Sequence, residues 1–169
     1  MAKSSAGVLL YRKVLDGYEV LLVHPGGPFW ANKDQGSWSI PKGEFDEDEA
    51  PLAAAKREFE EEIGAAAPDG RYLALGEAKQ SSGKIVHAFA LESDFNLEKF
   101  HSNMFDMEWP PKSGKQQEFP ENDKAAWLSL AAARQKLVKG QAGFIEALAE
   151  RLGADLPDTD ASTQPSLFD

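Results

Sequence analysis

Gly43-Glu44-Phe45-Asp46-Glu47-Asp48-Glu49-Ala50-Pro51-Leu52-Ala53-Ala54-Ala55-Lys56-Arg57-Glu58-Phe59-Glu60-Glu61-Glu62-Ile63-Gly64-Ala65 is the stretch on which the fold turns. Its second half predicts a helix over residues 51–63. Pro51 suits a first-turn position, where the missing N–H is no loss. Leu52, Ala55, Phe59 and Ile63 fall at i, i+3, i+7 and i+11 and form one apolar stripe. Gly64 supplies a C-terminal stop. Glu58, Glu61 and Glu62 fall at i, i+3 and i+4, on a face turned away from that stripe. Three carboxylates in one turn raise each other's pKa values. A cation among them relieves that repulsion, and oxygen donors without thiol or imidazole suit Mg²⁺ or Mn²⁺. Taken alone, the helix could equally be an acidic face in water.

Outward from this helix the chain is rich in strands. Residues 6–11 and 19–24 are β-branched and apolar, with Asp16-Gly17 as a turn signal in a connection that runs from Arg12 to Tyr18. Residues 25–37 read as loop, and Trp38-Ser39-Ile40 as a short strand stopped by Pro41. Downstream, 71–78 and 84–91 read as strands. Residues 92–124 are polar and irregular, with short strands over 104–109 and 116–119. An apolar stretch at 125–130 leads into helices over 130–138 and 141–151. No internal repeat is present. From Gly153 onward Pro, Asp, Ser and Thr dominate, as in a disordered tail. Strands on both sides of a central helix, with helices at the end, predict an α/β layered domain with a mixed sheet.

A length of 169 residues predicts one domain. The absence of cysteine excludes disulfides, thiol nucleophiles and thiolate metal sites. No run approaches the ~18 apolar residues of a membrane span. Val8-Leu9-Leu10-Tyr11 is too short for a signal-peptide core, so a cytoplasmic protein is expected. The net charge is −10. Residues 44–62 hold nine acids against two bases, residues 153–169 hold four acids and no base, and the rest is nearly neutral. Such a surface argues against duplex nucleic-acid binding, which wants a basic stripe.

The spacing in residues 43–65 is G-x5-E-x7-R-E-U-x-E-E-x-G-U, where U is a bulky apolar residue. It resembles the Nudix box. Gly43, Glu49, Arg57, Glu58, Glu61, Glu62 and Gly64 fill the seven fixed positions. Phe59 fills the first apolar position, and Ala65 fills the last, where a larger side chain is usual. The resemblance implies a Nudix fold, an α/β/α sandwich with a central mixed β-sheet and the Nudix loop-helix. It would span residues 4–152, with 153–169 as a flexible acidic tail. It implies a divalent-metal-dependent hydrolase of a nucleoside diphosphate linked to a group X, acting by water attack on phosphorus. It further implies that Glu58, Glu61, Glu62 and the Gly43 carbonyl are metal ligands, unless one of the glutamates serves as the base. Arg57 is expected to pair with Glu49 and aim the carboxylates. Glu118 is the candidate for an acidic residue outside the box, with Glu121 and Asp123 behind it. The catalytic set is therefore Glu61, Arg57, Glu49 and Glu118. Lys42 is the candidate phosphate contact, ahead of Lys33, Lys79 and Lys84. His24, His87 and His101 form no metal-ligand spacing.

For X, Trp38-Ser39-Ile40-Pro41-Lys42-Gly43 resembles the W-x-x-P-K-G entry of hydrolases of diadenosine and diphosphoinositol polyphosphates. Diadenosine tetraphosphate is the expected substrate. One departure is that the only tyrosine after the box is Tyr72, where the dinucleoside group often carries one further downstream. Rival substrates are a nucleoside triphosphate losing pyrophosphate, as in nucleotide-pool sanitation, and an RNA 5′ end. A nucleotide-binding regulatory module is the non-enzymatic rival, disfavoured because every box carboxylate is present. Phe100, Phe105, Trp109 and Phe119 offer rings that could stack on a base or pack in the fold. Gln164-Pro165-Ser166-Leu167-Phe168 resembles the Q-x-x-L-F peptides that dock on the bacterial sliding clamp. Docking there would favour sanitation near replication.

Overall fold

Val8-Leu9-Leu10-Tyr11 and Val20-Leu21-Leu22-Val23 are apolar without alternation because both sides of their sheet are covered. The computed structural model describes residues 4–156, so the Gln164–Phe168 peptide lies outside the described residues. The elements are β1 (Ser4–Val14), β2 (Gly17–Pro25), β3 (Lys42–Phe45), α1 (Pro51–Ile63), β4 (Leu73–Lys79), β5 (Ile85–Glu92), β6 (Met104–Glu108), β7 (Gln116–Pro120), β8 (Asn122–Ser129), α2 (Leu130–Lys136) and α3 (Ala142–Leu152). The main sheet runs β4-β5-β1-β2-β8, with β3 also paired to β1. β1 and β5 are parallel and the other named pairs are antiparallel, so the sheet is mixed as expected.

Successive side chains of β1 and β2 feed two cores. Ala6, Val8, Leu10, Leu21 and Val23 meet Ala54, Ala55, Phe59 and Ile63 of α1. Leu9, Tyr11, Val20 and Leu22 meet Leu130, Ala133, Phe144, Ile145 and Leu148 of α2 and α3. The result is helix, sheet, helices in three layers. Phe59 is fully buried, and losing its ring would cost about 3–5 kcal/mol.

The structure departs from the sequence expectations in places that bear on the site. The β1–β2 connection is a tight turn, since Val14 pairs with Gly17. Residues 42–45, for which the sequence named no element, form β3, because β1 is long enough to pair with β5 along one edge and offer its start to a second partner. Trp38 and Ser39 make only isolated bridges. On α1, Leu52 is half-buried and Ala54 takes the core position expected of it. The apolar stretch near 125–130 is strand β8, begun earlier at Asn122. β6 and β7 pair with each other in a small sheet of their own. Its root is tied to the main body by Glu121 N donating to Asn103 O and Gly26 N to Glu121 O, both at 2.8 Å.

The 152/153 boundary also shifts. Ala154 and Leu156 follow Leu152 onto the α2–α3 core, so the body continues at least to Leu156. Truncation after Leu152 should therefore lower the melting temperature by about 2–4 °C relative to truncation after Leu156, the equivalent of about 1 kcal/mol of apolar burial. Scanning calorimetry of the two proteins checks this.

Candidate active site

Gly43 sits where β3 passes the middle of α1. A Cβ there would lie 1.7 Å from Glu58 Oε1 and 2.2 Å from its Cδ. The carboxylate occupies the space any other side chain would need. Glu58 is itself only 8% exposed. It follows Ala54 by four residues, so it sits on the border of the buried face rather than on the free one. Burial raises its pKa, and the Arg57 hydrogen bond pulls it back. Gly43→Ala should displace Glu58 and lower kcat at least a hundredfold, because a small misplacement of catalytic groups costs rates of that order. Steady-state kinetics beside a melting curve separates this from loss of fold.

Arg57 forks across the site. Its Nε and Nη2 donate to the two oxygens of Glu49 at 2.9 and 2.8 Å. Its Nη1 donates to Glu58 Oε2 at 2.5 Å and to Glu61 Oε1 at 3.4 Å. The expected Glu49–Arg57 pair thus exists, and the same guanidinium reaches two of the helix carboxylates. The bidentate bond holds the Glu49 carboxyl below the usual range.

Glu62 lies on the other flank, against the start of β8. Desolvation pushes its pKa up to about 7. The Asn122 amide and Lys42 favour its charged form, while the charges of Glu121 and Glu58 oppose it. Asn122 is buried, and its amide lies toward the Glu62 carboxylate without closing a short hydrogen bond to it. Its backbone N donates to Ser102 Oγ, and the neighbouring Asn103 Nδ2 donates to Glu61 O. His101 N donates to Ile63 O. The 101–103 segment therefore clamps the end of α1 to the start of β8.

Glu118 falls elsewhere. It stands exposed on β7, opposite Asp106 of β6. The carboxylate outside the box whose charge reaches Glu62 is Glu121, because the chain returns to the main sheet only after Pro120. Asp123, the third candidate, accepts from His24 Nδ1 at 2.8 Å. The other nitrogen of that buried ring meets the Lys33 carbonyl at 2.5 Å. His87 lies edge-on to Phe45 and beside Glu77.

Lys42 lies among these groups. Burial lowers its pKa first, and the nearby Lys84 adds to this, while Glu62, Glu44 and Glu58 oppose it. Lys84 bridges to Glu44 at 2.9 Å. Lys33 lies over the Trp30 ring, and Lys79 is exposed at the end of β4. Tyr72 donates to Pro68 O and packs on the α1 core, which gives it a role in the fold.

Among the described residues no three acidic or histidine side chains converge tightly enough to form a finished metal site. Arg57 separates Glu58 from Glu61. The donor set nonetheless fits a hard divalent cation: the helix carboxylates, and the backbone of Gly43, which the lack of a Cβ lets lie against Glu58. Sequence reasoning missed Asn122, for nothing in Pro120-Glu121-Asn122-Asp123 marks which polar residue turns inward.

The chain matches the NUDIX domain family over residues 1–148 and belongs to it. It is a Nudix pyrophosphohydrolase, in a family that generally uses divalent metal ions. No curated protein matches it. Its fold is similar to the NUDIX domain of Shewanella oneidensis NrtR complexed with ADP ribose, at 18% identity and TM-score 0.60, covering 90% of this chain and 89% of that one. The C. elegans Ap4A hydrolase in a binary complex is similar at 20% identity and TM-score 0.54, with 90% and 98% covered. The E. coli ORF135 protein is similar at 26% identity and TM-score 0.51, with 90% and 94% covered. No helix among the described residues is long and apolar enough to cross a membrane.

Proposed function

We propose that the protein hydrolyses a dinucleoside polyphosphate, typified by diadenosine tetraphosphate, with Mg²⁺ or Mn²⁺. The observation that carries this is Lys42. It is half-buried beside Glu58 and Glu62, with Lys84 close by. Two ammonium groups next to the carboxylates suit a long, highly anionic phosphate chain. The likeness to an Ap4A hydrolase supports the same choice.

Glu58, Glu62 and the Gly43 carbonyl would hold the ion. When bound, it would neutralise phosphate oxygens and lower the pKa of a bound water. Lys42 and Lys84 draw the chain in. Glu61 is the exposed carboxylate of the three and takes the proton of the attacking water. The water oxygen bonds to phosphorus as the bridging P–O bond breaks, and diadenosine tetraphosphate gives ATP and AMP. Arg57 keeps Glu58 and Glu61 aimed. Glu121 takes the part expected of Glu118, as the outside carboxylate nearest in charge to Glu62.

The test is chromatography of products after incubation with Mg²⁺ and diadenosine polyphosphates, canonical and oxidised triphosphates, nucleotide sugars and triphosphorylated RNA. ATP plus AMP from diadenosine tetraphosphate, at the highest kcat/KM of the panel, is the expected result. Activity confined to triphosphates would overturn the proposal in favour of sanitation.

A further inference from the structure

Two rings that a fold should hide are instead left in water. Phe29 is 60% exposed and Trp30 38% exposed, side by side in the loop between β2 and β3. Neither they nor Phe105, Trp109 and Phe119 of the β6–β7 hairpin belong to either core. Phe100, by contrast, packs against the α1 core.

The loop carrying the exposed pair is built firmly. His24 Nε2 meets Lys33 O, Lys136 Nζ meets Asp34 Oδ2 at 2.6 Å, and Trp38 Nε1 donates to Asp34 Oδ1 at 2.7 Å. Phe29 and Trp109 meet edge to face with ring centroids 5.5 Å apart, which brings the loop onto the tip of the hairpin. Lys33 lies 5.1 Å over the Trp30 ring. Both loop and hairpin are rooted at Glu121, beside the carboxylates. From that root, five strand residues set Trp109 roughly 15 Å outward at the usual strand rise. That distance suits the far nucleoside of an extended polyphosphate, rather than the one whose phosphate is attacked.

We propose that Trp30 and Trp109, braced by Phe29, form a stacking shelf for the nucleobase at the far end of the substrate. The shelf rests on the polyphosphate hydrolase proposed above and adds to that site a contact with the base. Stacking on aromatic faces tolerates any base. Its occupant is the substrate and not a protein, because the two exposed rings make a small patch and the loop and hairpin that carry the shelf are both rooted at Glu121 beside the carboxylates.

The test is tryptophan emission of the full chain mixed rapidly with ATP or inorganic tripolyphosphate, both with Mg²⁺. ATP should quench the emission and tripolyphosphate should not. Trp30→Leu and Trp109→Leu should each remove much of the quench and raise KM for diadenosine tetraphosphate roughly tenfold. Leu15→Ala, an exposed apolar residue in the β1–β2 turn, should leave KM alone. Melting temperatures confirm that the variants fold. Equal quenching by tripolyphosphate, or two Leu variants with unchanged quench and KM, would overturn the shelf. If diadenosine tetraphosphate is not cleaved but ATP still quenches through Trp30 and Trp109, the shelf stands and the substrate proposal fails.

Discussion

Glu62→Gln makes the metal-free protein more stable at pH 8 while nearly abolishing turnover. In the folded protein the Glu62 carboxyl titrates at about 7, against an ordinary 4.5, chiefly because it is desolvated. Between those two values the folded state holds a proton that the unfolded chain has released. Stability therefore falls as pH rises through that window and levels off above about 7. A glutamine has no charge to bury, so the variant escapes the loss. Its gain is bounded by the shift, at most about 3 kcal/mol. It should be a few degrees of melting temperature at pH 8, fading towards pH 4.5, with EDTA present throughout. Mg²⁺ should reverse the order by stabilising only the wild type. Turnover should fall on the order of a thousandfold, since charge stabilisation by a well-held ion is worth several kcal/mol in the transition state. Equal melting of the two proteins at pH 8 would show that Glu62 carries no such burden.

How much of this was readable in the sequence follows from which interactions are local. α1 runs over the residues its proline, apolar spacing and glycine predict, because all three act within the helix. The Glu49–Arg57 pair was legible through the resemblance of the box, and the reach of the same guanidinium to Glu58 and Glu61 is added by the structure within one helical turn. What failed depended on remote contacts. Glu118 and Glu121 are three residues apart in one polar stretch, and only the return of the chain into β8 decides which faces Glu62. Asn122 turns inward because Ser102, twenty residues earlier, takes its backbone N–H. Trp30 and Phe29 did leave a trace: two bulky rings in Pro25-Gly26-Gly27-Pro28-Phe29-Trp30, a segment with no periodicity to bury them. Pairing with Trp109, eighty residues on, could not be foreseen from that.

Arg57→Met should cost about a hundredfold in kcat with only a small loss of stability. The Arg57 side chain is 40% exposed, and solvent screens such a pair, so its share of stability is small. The contribution of the Glu49 bond is present above the ordinary carboxyl pKa and fades in acid, as for any carboxyl held below its usual range. The effect on rate is larger because one side chain sets three carboxylates. Without it Glu58 keeps its burial but loses the hydrogen bond that favours its charged form. The Mg²⁺ concentration giving half-maximal rate should accordingly rise. Arg57→Lys should recover little, since a single ammonium cannot span both oxygens of Glu49 and reach Glu58 as well. Glu49→Gln separates the two duties. If Arg57 acts mainly by being anchored, the double variant should be no worse than Arg57→Met alone. If the rates of the single variants multiply instead, Glu49 has a task of its own in the reaction. A lysine variant with near-wild-type kcat and Mg²⁺ requirement would mean that the forked geometry is dispensable and only the positive charge matters.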